Sequence, residues 1–176
     1  MNFYKKRFIL CISTFFFIFL FLGGCKSEKI VIEEMPPMSK HTIEKFTITQ
    51  TENGKLKMII EAESAIIDEK WSIAHLKLPI VKFYDKGNYV STLTAESADI
   101  NLETYGVKGI GKCVIDTANN EHLQTTNLMY NAKKNLLYSN NNVKIKKPGQ
   151  MIYGTRFDAD AKLETITIKN QRAVLD

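Results

Sequence analysis

Histidine is the side chain best suited to proton transfer and metal binding near neutral pH, and this chain has three: His41, His75 and His122. None has another histidine two or four residues away, so the spacings that hold a metal on one strand or helix are missing. They read as surface or packing residues. Glu63 and Glu96 occupy matching places in two similar segments, but Thr126 and Thr155 replace them in two later copies. Solvated strand residues explain that better than two carboxylates sharing a proton. Cys113 sits in an apolar stretch beside Lys112 and reads as a buried structural thiol, since a reactive thiolate needs an electropositive, partly exposed setting. No serine is framed as Gly-x-Ser-x-Gly. Gly106, Gly109 and Gly111 are out of order for Gly-x-Gly-x-x-Gly and open no helix, which argues against a nucleotide loop. Lys144-Ile-Lys-Lys147 concentrates positive charge, either to meet lipid phosphates or to guard a strand edge against unwanted pairing. These readings leave no catalytic residue, metal site or cofactor to expect.

One cysteine does have chemistry written around it. Lys5, Lys6 and Arg7 precede a 15-residue apolar run, residues 8–22, and the run closes on Leu22-Gly-Gly-Cys25. This resembles a bacterial lipobox: Leu three before the Cys, small residues between, and a Cys that becomes the lipid-bearing first residue after cleavage. The run is short of the roughly 20 residues that span a bilayer. Residues 1–24 are therefore expected to be a lipoprotein signal peptide. Residues 25–41 are the lipidated Cys25 and a tether stiffened by Pro36-Pro37, and residues 42–176 are the folded domain. Without residues 1–24, Lys+Arg falls from 24 to 21 against 19 Asp+Glu, so the net charge drops from +5 to +2. The basic balance belongs mostly to the leader, and a nucleic-acid partner loses its support. Of three cysteines, only Cys113 remains with neither leader nor lipid, so no disulfide is expected and the core must hold the fold.

The elements that position these residues repeat. Ala62-Glu-Ser-Ala-Ile-Ile-Asp68 returns as Ala95-Glu-Ser-Ala-Asp-Ile-Asn101, with weaker copies at Thr125-Thr-Asn-Leu-Met-Tyr-Asn131 and Gly154-Thr-Arg-Phe-Asp-Ala-Asp160. The closing Asp or Asn residues, 68, 101, 131 and 160, lie 33, 30 and 29 apart, each followed by a short polar step and an apolar run. Asp and Asn bond their own backbone in turns, so each copy reads as a hairpin, and the period means stacked copies of one unit. Asn53-Gly54, residues 85–88 and Pro148-Gly149 supply further turns. Alternation such as Leu56, Met58 and Ile60 against Lys55, Lys57 and Glu61 marks half-buried strands, and no amphipathic helical pattern exceeds about three turns. The expected class is all-β. Small residues at the repeat starts, Ala62, Ala65, Ala95, Ala98 and Gly154, allow something to come close to the sheet.

A tethered, all-β repeat domain with these segments resembles the LptC family, which belongs with LptA-like and OstA-like domains. The resemblance runs from Phe46 to Leu175 through residues 56–65, Pro79-Ile-Val-Lys-Phe-Tyr-Asp85, residues 93–102, Asn127-Leu-Met-Tyr-Asn131 and Gly154-Thr-Arg-Phe157. It implies a twisted, open β-jellyroll of two antiparallel sheets that carries lipopolysaccharide with its acyl chains inside. It further implies docking on the inner-membrane ABC transporter of lipopolysaccharide export, and hand-off to an LptA-like periplasmic jellyroll by strand addition. Many members use a spanning helix where this chain has Cys25, and Lys26 stands where a common inner-membrane retention rule has Asp. The expected acyl groove comprises Phe46, Leu56, Met58, Leu76, Leu78, Ile80, Leu128, Tyr153, Phe157 and Ile168, with Ala173 near the exit. Gly154 is the expected partner interface. The competing expectation is a structural envelope lipoprotein whose repeats hold no lipid.

Overall fold

The computed structural model describes residues 40–175. The expected signal, Cys25 and nearly all of the tether lie outside these residues. Eleven strands account for most of them: β1 (Lys40–Glu52), β2 (Lys55–Asp68), β3 (Ile73–Lys77), β4 (Ile80–Asp85), β5 (Asn88–Thr94), β6 (Ser97–Asn101), β7 (Val107–Thr117), β8 (His122–Asn131), β9 (Leu136–Lys147), β10 (Gln150–Asp160) and β11 (Ile166–Leu175). Lys40 and His41, within the expected tether, are the first residues of β1. All pairings are antiparallel, and the order is that of a meander. β3 and β4 lie end to end along β2, β6 and β5 lie end to end along them, and β7 to β11 follow in sequence order. Among the described residues β1 pairs only with β2, and β11 only with β10, so each has one side of its backbone unpaired there.

The hairpin repeat expected from the sequence is present, and three of its four closing residues, Asn101, Asn131 and Asp160, work as turn caps. Asn101 Oδ1 accepts hydrogen bonds from the Glu103 and Thr104 amides at 3.1 and 2.7 Å. Asn131 Oδ1 accepts from the Lys134 amide at 3.0 Å, and Asp160 Oδ1 from the Glu164 amide at 2.9 Å. At the other ends of the strands, Asn53 and Gly54 both take positive φ, 52° and 73°, as a type I′ hairpin requires.

The two antiparallel layers that the resemblance implies are halves of one continuous sheet that folds over its own core. β4 and β8 are separated by two strands, which on a flat sheet would put them about 14 Å apart. Yet the rings of Phe83 and Tyr130 lie edge to face with centroids 4.7 Å apart. Ser91 on β5 donates a hydrogen bond to the carbonyl of Ala161, beyond β10, and Lys162 reaches Asp85 at 2.9 Å. The inward row across the sheet is nearly all aliphatic: Ile48, Ile60, Val81, Leu93, Ile115, Leu123, Ile145, Ile152 and Ala173 occupy successive register positions from β1 to β11. Burying each such side chain stabilises the fold by roughly 1.5–3 kcal/mol.

Most long strands carry an irregularity near the middle. Lys45, Asn127, Arg156 and Asn170 have positive φ inside β1, β8, β10 and β11, and Leu78 has φ 48° between β3 and β4. An extra residue in a strand switches which side chains face the core. In β10, for example, Ile152 and Gly154 share the inward face before Arg156, while Phe157 and Ala159 take it afterwards.

Candidate functional site

Of the expected groove residues, Phe46, Met58, Leu76, Leu128 and Phe157 are buried in one common core. Leu56 and Ile168 are half-buried on the inward face. Leu78, Ile80 and Tyr153 are corrections to the expected set: they are exposed, at 53%, 39% and 42%. Strict alternation from Leu76 would carry Leu78 and Ile80 inward, but the positive φ at Leu78 reverses it. Ile80 thus pairs with Glu61 and Thr94 on the outer face, while Val81 and Phe83 turn in. Tyr153 is reversed relative to Phe157 by the bulge at Arg156, and it pairs with Lys144 and Arg172. Ala173 is exposed for a different reason. It shares the inward row with Ile152, but on the edge strand, where nothing described covers it.

Burial along the inward rows falls towards both open edges. In the row ending at Ala173, the residues from Ile60 to Ile145 are fully buried, Ile48 and Ile152 are half-buried, and Ala173 is exposed. In a second row Ala65, Leu76, Ala98 and Leu128 are buried, whereas Ile43 on β1 is 39% exposed. With half-buried Ile166 and Ile168 on β11, these residues line the inward side of both edges with aliphatic groups. The sequence does not single out Ile43 and Ile48, because edge position cannot be read from one strand alone.

The small residues do permit close approach. A side chain at Gly154 would overlap the Ile168 side chain and stand 3.0 Å from the Lys169 carbonyl, so this glycine lets β11 lie close against β10. The space at Gly109 is taken by the Cys113 sulfur, 2.9 Å from where a Cβ would be. Cys113 itself is buried, and burial pushes its thiol pKa up, which suits a structural residue. Glu63 pairs with Lys77 at 2.9 Å, while Glu96 lies over Gly111, so the two glutamates do not form a pair. Each histidine bonds a carboxylate of its own: His41 with Glu69, His75 with Asp99 and His122 with Asp116, at 3.2, 2.7 and 2.7 Å. Among the described residues no three potential ligands gather as a metal site. Lys144 and Lys146 do not guard an edge, because β9 is paired on both sides. Lys147 is engaged by Glu121 at 2.8 Å.

A rolled antiparallel meander with a largely apolar core, two edge strands and an apolar lining that becomes exposed at those edges defines an open β-jellyroll. The chain belongs to the LptC family, described as "Lipopolysaccharide-assembly, LptC-related", which matches residues 8–176. Its fold is similar to the crystal structure of LptH, the LptA homologous periplasmic component of the conserved lipopolysaccharide transport device from Pseudomonas aeruginosa. That similarity has a TM-score of 0.53 at 14% identity, covering 68% of this chain and 94% of that one. No curated protein matches the chain.

Proposed function

We propose that this protein is a membrane-tethered periplasmic carrier in lipopolysaccharide transport, which receives the lipid from the inner-membrane ABC transporter and passes it to an LptA-like jellyroll. The observation that carries this reading is the fall in burial along continuous aliphatic rows towards both edges. It offers acyl chains a place to enter at the seam without any polar key. Each CH₂ moved from water into such a lining is worth about 0.8 kcal/mol, so several chains give firm but reversible holding. The open backbones of β1 and β11 suit strand addition on either side, one towards the transporter and one towards the next jellyroll. Gly154, which seats β11, then acts on the partner interface through the edge strand.

A ligand-free scaffold is the second reading, and the complete burial of the central row favours it. Photo-crosslinking separates the two. A photoreactive residue at Ile168 or Ile152 should capture lipopolysaccharide in cells with an energised transporter, while one at Ile80, apolar but outward, should not. Folded protein that captures nothing from the seam, or captures equally from Ile80, leaves the scaffold reading in its place.

The tether is proposed to be lipid on Cys25, supported by Leu22-Gly-Gly-Cys25 closing a short apolar run. Cys25→Ser should abolish metabolic labelling with palmitate. Labelling that persists in the variant rejects the anchor and leaves the carrier domain to be judged separately.

A further inference from the structure

The two halves of the domain differ in charge. Residues 107–175 hold eleven Lys and Arg against five Asp and Glu, while residues 40–106 hold eight against ten. In the first half, several cations are neutralised on the sheet: Lys57 by Glu52, Lys77 by Glu63 and Lys82 by Glu61, at 3.1, 2.9 and 2.9 Å. On the outer face of β7–β11, Lys112, Lys144 and Arg172 make no ion pair among the described residues. They stand on every second strand, β7, β9 and β11, so their positive potentials add over one stretch of the outer face and favour an anionic ligand there.

Two of these cations, Lys112 and Lys144, border a hollow of about 570 Å³, lined also by Gln124, Thr126, Asn142 and Tyr153, with no carboxylate in its lining. Gln124, Lys144, Tyr153 and Arg172 are successive register partners, so one row of side chains leads from the hollow to the β11 edge. The Tyr153 ring is 42% exposed, and the Lys144 ammonium lies 5.9 Å from its centroid. An open aromatic face beside amides and hydroxyls suits a sugar, whose C–H face stacks on the ring while its hydroxyls bond the polar groups. Lysine and arginine in the same row supply charge-assisted bonds to phosphate. The row also ends at the right place. Arg172 and Ala173 are consecutive on β11, the first on the outer face and the second on the inner, so the basic row and the apolar seam meet at adjacent residues.

We infer that the hollow holds the phosphorylated saccharide of the carried lipid, folded over the β11 edge while the acyl chains lie at the seam. This deepens the carrier reading and rests on it for the acyl end alone; the saccharide site stands on the outer face. The test uses the full chain in detergent and calorimetric titration with fully deacylated, phosphorylated oligosaccharide prepared from lipopolysaccharide. Controls are the same oligosaccharide after phosphatase treatment, and inorganic phosphate. The phosphorylated oligosaccharide should bind, and removing its phosphates should weaken binding at least tenfold. Lys144→Gln and Arg172→Gln should each cost several-fold, and Tyr153→Ala should weaken both forms of the sugar. No binding, or binding indifferent to all three variants, overturns the inference. Inorganic phosphate binding as tightly as the oligosaccharide also overturns it, by making the hollow a simple anion site. Saccharide binding that survives alongside failed capture at Ile168 rejects only the acyl seam.

Discussion

Gly154→Arg is expected to free β11 from the sheet while the rest of the domain stays folded. Gly154 faces inward opposite Val143, and the bulge in β11 lies against it, with Asn170 at φ 49°. Any Cβ there overlaps Ile168, so the penalty begins at alanine and grows with size. Overpacking a fitted site costs roughly 1–3 kcal/mol, and an arginine adds a cation that must leave the apolar seam. The strain falls on an edge strand held from one side only, so the local response is for β11 to peel away. Hydrogen exchange should show the amides of residues 166–175 losing most of their protection while those of β2 and β7–β9 keep theirs. Co-purification with the proposed LptA-like partner should fall with it. Gly154→Ala should show a weaker form of the same pattern, and adding Ile168→Ala should restore much of the protection. Undiminished protection of β11 in Gly154→Arg, or no rescue by Ile168→Ala, would mean that the glycine does not seat this strand.

What the sequence discloses here, and what it hides, follows from how strands encode their faces. The turns were legible because their chemistry is local: Asn101, Asn131 and Asp160 cap their own hairpins with side-chain oxygens, and Asn53-Gly54 adopts the dihedrals that favour those residues. The repeat was legible for the same reason. The bulges were not. Leu78 and Arg156 carry positive φ without being Gly or Asn, so nothing in their identity announces that alternation reverses there. Extended without a bulge, the pattern carries Ile80 and Tyr153 inward; the irregular backbone puts both outside. The basic row on β8–β11 was half visible. Lys144-Ile-Lys-Lys147 stood out as a charge cluster, but Tyr153 and Arg172 join it only through register, which a single strand does not specify.

Tyr130→Phe is expected to weaken the fold at neutral pH and strengthen it, relative to the natural protein, in alkali. Tyr130 is 3% exposed, packs its ring against Phe83, and donates its hydroxyl to Asn135 Oδ1 at 3.0 Å. Burial first, and the charge of Glu52 second, push its phenol up from 10.0 to about 12. The folded state therefore favours the neutral phenol. Its contribution is fully present below pH 10, the unfolded value, and is lost as pH rises towards 12. A shift of that size corresponds to about 3 kcal/mol. Phenylalanine keeps the ring contact, loses one hydrogen bond worth about 1 kcal/mol, and has no proton to release. Asn135 is exposed, so water takes up its freed oxygen. Urea unfolding of both proteins from pH 7 to 12 should give curves that cross between 10 and 12, with the variant less stable before the crossing and more stable after it. The two proteins differ in this one side chain, so the difference between the curves isolates its phenol. A difference that stays constant over the whole range would show that Tyr130 ionises as readily in the fold as in the open chain, and the Phe83–Tyr130 contact would then be wet.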